Sequence, residues 1–450
     1  MSITSLAHEP FLRFMLQIIL IVLASRALGL AASRISQPMV VAEIVAGILL
    51  GPSFFGALAP ATYAPIFAPE FLKVLAMVSQ LGLILFMFLV GLELDPATLR
   101  QRARSSLVIA NASMIVPLLM GAALALFLGE YGAPHGHSRL PLMLFMGTAM
   151  SITAFPVLAR ILAEQRLSQT EVGILSLTCA AVGDVAAWCL LAFVVAFSRA
   201  SGVQSAVLTT LLALGYIGLL FTVVRPFLAR ALRRAEVRAP LSQNTLAAIL
   251  LALFASSCVT ELIGIHALFG AFVFGAILPK DGTLTRELTE RLEALVVIVL
   301  LPTFFAFSGV RTQLGLLDSW HAVGLCAVVI AVACVAKGGA SMLGARAMGY
   351  SWGDATAIGI LMNTRGLVEL IVLNVGLDLG VIGHRLFTIM VVMALVTTLM
   401  TTPLVRLSRR LQQAASATSH GQPRLCLGSS ERSDSQVAAE ALLASEAAPD

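Results

Sequence analysis

The sequence is short of charge. Only 12% of its 450 residues are Asp, Glu, Lys or Arg, where a soluble domain carries roughly 25%. With 58% hydrophobic residues and a mean hydropathy of +0.94, that shortage excludes a soluble globular chain and leaves no expectation of a nucleic-acid partner. The cysteines at 179, 189, 258, 326, 334 and 426 show no CxxC spacing, which argues against a disulfide framework or a zinc site. They read as small core hydrophobes. The first apolar run, 11–32, has no basic segment before it and is too long for a signal-peptide core, so it reads as a retained helix. Residues 412–450 hold no glycine-rich dinucleotide fingerprint and are too few for a regulatory nucleotide-binding domain.

What the sequence does have is a succession of apolar runs. Windows of about 20 residues mark thirteen candidate spans, at 11–32, 37–56, 70–92, 105–129, 140–163, 169–198, 204–224, 243–262, 264–280, 294–310, 319–345, 353–378 and 384–405. The connections on one side hold nineteen Lys and Arg and those on the other hold six. The positive-inside rule therefore expects the N-terminus outside and the C-terminus in the cytoplasm of a multi-pass cell (inner) membrane protein. The segment 225–243, with five arginines, Pro226 and Pro240, reads as a cytoplasmic linker. The polar stretch 412–450 reads as a disordered cytoplasmic tail.

The stretch Gly147–Leu190 organises the rest. It reads as two apolar helices joined by the polar turn Ala163–Thr170, the first interrupted at Ser151-Ile152-Thr153-Ala154-Phe155-Pro156. Pro156 has no N–H and disfavours helical geometry at Phe155, so a continuous helix is not expected. The second helix carries one acid, Asp184. A lone acid at membrane depth costs roughly 2.5–3.5 kcal/mol on insertion scales, so such groups face aqueous cavities and act on ions or protons. Gly183 beside it leaves room for an ion, water or backbone to approach. The alternative is a carboxylate hydrogen-bonded to a neighbouring helix for packing alone. Ser151 and Thr153 offer oxygens at the break, or bond to the preceding turn.

A second interruption, LMNTRGLVEL (361–370), places Asn363, Thr364, Arg365, Gly366 and Glu369 inside another apolar span. The two interrupted spans lie seven apart and so cross in opposite directions, the pattern of an inverted repeat with crossing half-helices. Arg365 and Glu369, four apart, can neutralise each other or shape a site. Lys337 is the one lysine in a span's interior, nearly central in 319–345. It can snorkel, pair with Asp184, or offset half-helix dipoles where the interrupted helices cross. For Glu43 and His266 structural roles are expected.

The runs EIVAGILLGP (43–52), FMFLVGLELD (86–95), SITAFPVLARIL (151–162), GAFVFGAILP (270–279), LPTFFAFSGVRT (301–312) and LMNTRGLVELIVLNVG (361–376) resemble the monovalent cation:proton antiporter-2 family. The nearest branch is the cation/H+ exchangers of plants and their bacterial relatives. The resemblance covers about residues 11–405. It implies an all-α polytopic fold of the sodium/proton antiporter type, with about 13 helices, inverted repeats and two broken, crossing helices. It also implies a homodimer in the lipid bilayer. Dimerisation helices would lie at about 11–92 and 243–310, core helices at about 105–198 and 319–405, and a linker helix at about 204–224, in a membrane domain spanning 1–411. The function implied is secondary active antiport of Na+ or K+ against H+ by alternating access, with no cofactor.

On that resemblance Asp184 binds cation or proton, with Gly183 and Thr153 beside it. Lys337, Ser151, Pro156, Asn363, Arg365 and Glu369 support the core. Related exchangers place a second aspartate, Asn or Gln where this chain has Gly183. One carboxylate points to electroneutral 1:1 exchange. Two rivals stand beside this reading. Potassium efflux systems of channel type resemble the same family but carry a large nucleotide-binding domain. AVGD (181–184) half-resembles membrane aspartyl proteases, but Asp354 and Asp378 lie near span ends and do not supply the second acid that a proton-sharing dyad requires. The chain is therefore not expected to be an enzyme.

Overall fold

A computed structural model describes residues 10–35, 37–67, 69–93, 103–128, 139–199, 203–234, 241–279 and 282–420, and the described residues are helices and short connections. The first helices are α1 (Pro10–Arg34), α2 (Met39–Leu50), the short α3 (Phe55–Leu58) and α4 (Pro60–Phe67), then α5 (Pro69–Glu93) and α6 (Ala103–Leu128). Next come α7 (Arg139–Ser151), α8 (Phe155–Glu164), α9 (Glu171–Arg199), α10 (Val203–Leu219) and α11 (Arg225–Arg234). Then follow α12 (Gln243–Ile263), α13 (Ala267–Ile277), α14 (Gly282–Leu295) and α15 (Leu301–Val310). The last five are α16 (Trp320–Cys334), α17 (Ala340–Ala347), α18 (Trp352–Met362), α19 (Leu367–Asp378) and α20 (His384–His420). By compactness the chain falls into Met1–Ser408 and Arg409–Asp450. The first unit carries everything that follows. In the second, the described residues are the end of α20.

Helices dominate because the bilayer offers backbone groups no hydrogen-bond partner and an α-helix satisfies them internally. Three π-helical turns interrupt them, at Leu220–Val224, Val296–Leu300 and Val335–Gly339. Two have a sequence cause: Pro226 and Pro302 follow within two residues, and a proline clashes with the carbonyl four positions back, which the wider turn relieves. The third contains Lys337 and the weak helix formers Gly338 and Gly339. Because the first π turn joins α10 to α11, the expected linker 225–243 begins as helix through Arg234, while 235–240 lie outside the described residues. Likewise α20 runs to His420, nine residues into the expected tail, through Ala-rich sequence that favours helix. The remainder, 421–450 with Cys426, lies outside the described residues, as do Asp95, Arg100, Arg102, Arg238 and Lys280.

Among the described residues, ten helical segments are long and apolar enough to cross a membrane unaided. The remaining three of the thirteen expected windows fall on the pair α7/α8, on the 11-residue α13, and on the pair α18/α19. At 1.5 Å per residue the 13 residues of α7 reach about 20 Å and the 10 of α8 about 15 Å, so neither crosses a ~30 Å core alone.

Packing follows two sets of neighbours. In one, α2 lies against α1 and α15, α5 against α13 and α15, and α12 against α13. In the other, α6 lies against α7, α9 and α17, α7 against α9 and α19, and α18 against α9 and α17. Small residues set the closest approaches, as they do where apolar lipid supplies no drive for helices to associate. A Cβ on Gly309 of α15 would sit 2.6 Å from the Gly47 carbonyl carbon and the Ile48 nitrogen of α2. Gly309→Ala should therefore destabilise the protein by about 1–3 kcal/mol, read as a lowered melting temperature in detergent. Gly324→Ala, where a Cβ meets nothing within 4 Å, should leave melting unchanged.

Candidate functional site

The two interruptions meet. Residues 152–154, between α7 and α8, lie against residues 363–366, between α18 and α19. The Ala154 N–H donates to the Thr364 carbonyl at 3.1 Å, and the Thr153 hydroxyl donates to the Met362 carbonyl at 3.2 Å. Gly366 allows the approach: a Cβ there would lie 2.8 Å from a Val157 methyl and 3.1 Å from the Ala154 Cβ. The crossing brings four half-helix ends together, each with its own unsatisfied backbone groups and dipole charge.

The C-terminal end of α7 receives two cations. Lys337 Nζ donates to the Ser151 carbonyl and, at 3.1 Å, to the Ser113 carbonyl of α6. Arg365 Nη1 donates to the carbonyls of Ala149 at 3.0 Å and Ile152 at 3.3 Å. Both side chains are buried, at 1% and 0% exposure. Of the roles open to Lys337, the structure gives the offsetting of a half-helix dipole; among the described residues Lys337 closes no direct ion pair with Asp184. Arg365 also lies 3.8 Å from Glu369, itself fully buried in the first turn of α19, where a carboxylate suits the positive dipole end. Arg365 is not in a helix as its i,i+4 spacing suggested, but the break holds it over the same turn. Thr398 of α20 fixes it there, accepting from the Arg365 N–H at 3.1 Å and donating to the Arg365 carbonyl at 2.9 Å.

Asp184 lies on α9, 4% exposed, opposite the N-terminal end of α8. Both its carboxylate oxygens are buried and close no hydrogen bond. The Phe155 N–H and the charge of Lys337 act on the carboxylate. Next to it in the chain, a Cβ on Gly183 would meet nothing within 4 Å. A buried carboxylate that no protein donor satisfies is costly unless a cation or a proton neutralises it. Among the described residues no group of three or more His, Cys, Asp or Glu side chains could hold a metal ion.

The other expected residues divide. Thr153 lies at the crossing with its proton committed to Met362. Ser151 contributes its carbonyl to Lys337, while its hydroxyl bonds back to the Thr148 carbonyl at 2.8 Å. Pro156 occupies the first turn of α8, where a missing N–H costs nothing. Asn363 turns elsewhere: its Nδ2 meets Cys334 Sγ at 3.4 Å, and it lines a cavity of about 180 Å3 with Thr397 and Thr401. His266 caps the N-terminus of α13, with Nδ1 accepting from the Leu268 N–H at 3.5 Å, which fits a structural role. Sequence reasoning missed Ser113 and Thr398. Ser113 acts through its backbone and leaves no signal, whereas the cluster Thr397, Thr398, Thr401 and Thr402 in an apolar helix marks the α20 face.

Comparison with known proteins places this geometry. The family described as sodium/hydrogen exchanger, transmembrane, matches residues 18–407. Over 398 residues the chain is 45% identical to the Na(+)/H(+) antiporter NhaS4 of Synechocystis, covering 88% of this chain and 97% of that one. It is 44% identical over 394 residues to Cation/H(+) antiporter 17 of Arabidopsis thaliana, covering 87% and 47%. It is 36% identical over 409 residues to the K(+)/H(+) antiporter 1 of Saccharomyces cerevisiae, covering 89% and 47%. The chain thus spans nearly the whole of the cyanobacterial relative and about half the length of the plant and yeast ones. Its fold is similar to that of the sodium proton antiporter MjNhaP1 from Methanocaldococcus jannaschii at pH 8, with a TM-score of 0.59 over 90% of this chain at 16% identity.

Removing Arg365 while Glu369 stays should expose an uncompensated buried charge. Arg365→Ala is expected to cost about 3–5 kcal/mol, and adding Glu369→Gln should recover part of that loss. Melting temperature and monodisperse yield in detergent check both, and equal losses in the single and double variants would deny the pairing.

Proposed function

The chain belongs to the sodium/hydrogen exchanger family, and from that membership we propose how it exchanges a monovalent cation for H+ across the membrane. The observation that carries the mechanism is Asp184, a buried carboxylate without a protein hydrogen bond, set beside Gly183 and facing the positive end of α8. Such a group is neutral when protonated and needs a cation when it is not, so H+ and Na+ or K+ compete for it. With one carboxylate the exchange is 1:1, and each pH unit drives it by about 1.4 kcal/mol. Membrane potential then adds nothing, whereas it would supply about 2.3 kcal/mol per net charge per 100 mV.

Alternating access assigns parts to the rest of the chain. The helices of 105–198 and 319–405 form a core that carries Asp184, and those of 11–92 and 243–310 form the dimerisation domain of a homodimer. The division is supported by the two sets of packing neighbours. The excess of Lys and Arg on one side supports a cytoplasmic C-terminus in a cell membrane, with thirteen crossings when α7/α8, α13 and α18/α19 each count as one. A potassium channel is not supported, since the relatives bear the names of antiporters. No cofactor enters this scheme; the cation and the proton are the cargo.

The test is proton flux in proteoliposomes, followed with an internal pH dye on adding Na+, K+, Rb+ or Li+. Wild type should respond to at least one cation across pH 6–9, and Asp184→Asn should abolish the response; a folded wild type inert to all four would overturn the reading. At fixed ion gradients the initial rate should not change with an imposed potential, and a dependence would contradict 1:1 exchange. Gly183→Asn, whose Cβ meets no neighbour within 4 Å, should fold normally and shift the order of preferred cations by adding a ligand oxygen.

A further inference from the structure

One polar contact joins the two sets of packing neighbours far from Asp184. At the end of α15, Arg311 Nη1 donates to Asn374 Oδ1 at 2.9 Å and Nη2 to Asp378 Oδ1 at 2.6 Å, both on α19. Asn374 Nδ2 returns across the same boundary to Ser308 Oγ of α15 at 2.8 Å. Phe307 and Phe387 hold the guanidinium from its faces, at 5.2 and 6.0 Å, and the Arg311 side chain is 16% exposed against 54% for Asp378. The clasp therefore sits at the rim of the protein. Two cavities, of about 230 and 420 Å3, adjoin it and share Gln80, His266, Val375 and Asp378.

Three features make this clasp more than packing. It connects α15 to α19, the half-helix that begins at Leu367 beside the crossing and carries Glu369 in its first turn, so movement at one end of α19 is felt at the other. Its Arg311–Asp378 bond is exposed and can be exchanged for water with little net loss, while the Asn374–Ser308 bond is buried. An apolar interlock would resist opening. Finally, both cavities are lined by α5, α13 and α19, and the one of about 230 Å3 by α15 as well, so parting α15 from α19 widens it.

We propose that Arg311 is a positioning residue for the transport cycle: its clasp on Asn374 and Asp378 holds the outer side of the core shut against α15, and transport opens it once per turnover. This rests on the division into core and dimerisation domains, and on the orientation, proposed above. Breaking the clasp shifts the protein toward an outward-open state without touching the ion site.

The test uses the full chain with all six cysteines replaced by alanine and Val375→Cys added, reconstituted and exposed from outside to a membrane-impermeant maleimide. Val375 is 6% exposed and lines both cavities, so its labelling reports opening. Arg311→Gln and Asn374→Ala should each speed labelling roughly tenfold, a population shift of about 1.4 kcal/mol. Arg385→Gln should leave it at the parent rate, because the Arg385–Asp318 pair, 3.0 Å apart, ties α20 to the connection before α16 and not α15 to α19. Labelling unchanged in both clasp variants overturns the proposal, as does an equal rise in Arg385→Gln. Should Arg311→Gln fail to assemble, Asn374→Ala decides, since it removes two of the three bonds. Labelling reads the gate and cation-driven flux reads exchange, so a parent that exchanges without the expected labelling pattern loses the clasp and keeps the function.

Discussion

The carbonyls at the end of α7 have to find donors in a medium that supplies none. Ending a helix at mid-membrane leaves its last acceptors bare and concentrates negative dipole charge there. This protein meets that demand with two buried cations, Lys337 and Arg365, brought from helices distant in sequence. Much else follows from that choice. Buried cations require carboxylates within electrostatic reach, and Glu369 and Asp184 supply them. Arg365 has to be held in an extended break, and Thr398 holds it. Lys337 has to reach Ser151, and the π turn Val335–Gly339 carries it.

The same arrangement separates two carboxylates that look alike on paper. Glu369 likewise closes no hydrogen bond, but a guanidinium 3.8 Å away and its place in a first helical turn set fixed positive charge against it. Asp184 has only the end of α8 and a lysine committed to carbonyls, with space beside Gly183. A fixed compensation makes a structural acid, and an incomplete one makes a site for a mobile ion. Charge complementarity at the crossing thus serves both the scaffold and the cargo.

Much of this was legible in the sequence because breaks and buried charges are local signals. Pro156 and Asn363-Thr364-Arg365-Gly366 mark both interruptions, and Asp184 and Lys337 stand out by chemical type alone. What each charge touches was less legible. The partners of Lys337 and Arg365 are backbone carbonyls at positions 113, 149, 151 and 152, and every residue has a carbonyl. The number of spans was blurred because a 20-residue window cannot tell a crossing helix from two half-helices of 13 and 10 residues. Pro226 and Pro302 announced the two wide turns that follow from proline sterics. The third turn, at Gly338-Gly339, carried a weaker version of the same signal.

The central claim is that cation and proton compete for one carboxylate, and calorimetry tests it without transport. Titrating the transported cation into detergent-solubilised protein, in two buffers of different ionisation enthalpy, counts the protons released per cation bound. The account predicts that protonated Asp184 gives up its proton when the cation binds, approaching one proton per cation as pH falls and none in Asp184→Asn. Cation binding of undiminished affinity with no proton release at any pH, or release that survives Asp184→Asn, would contradict it.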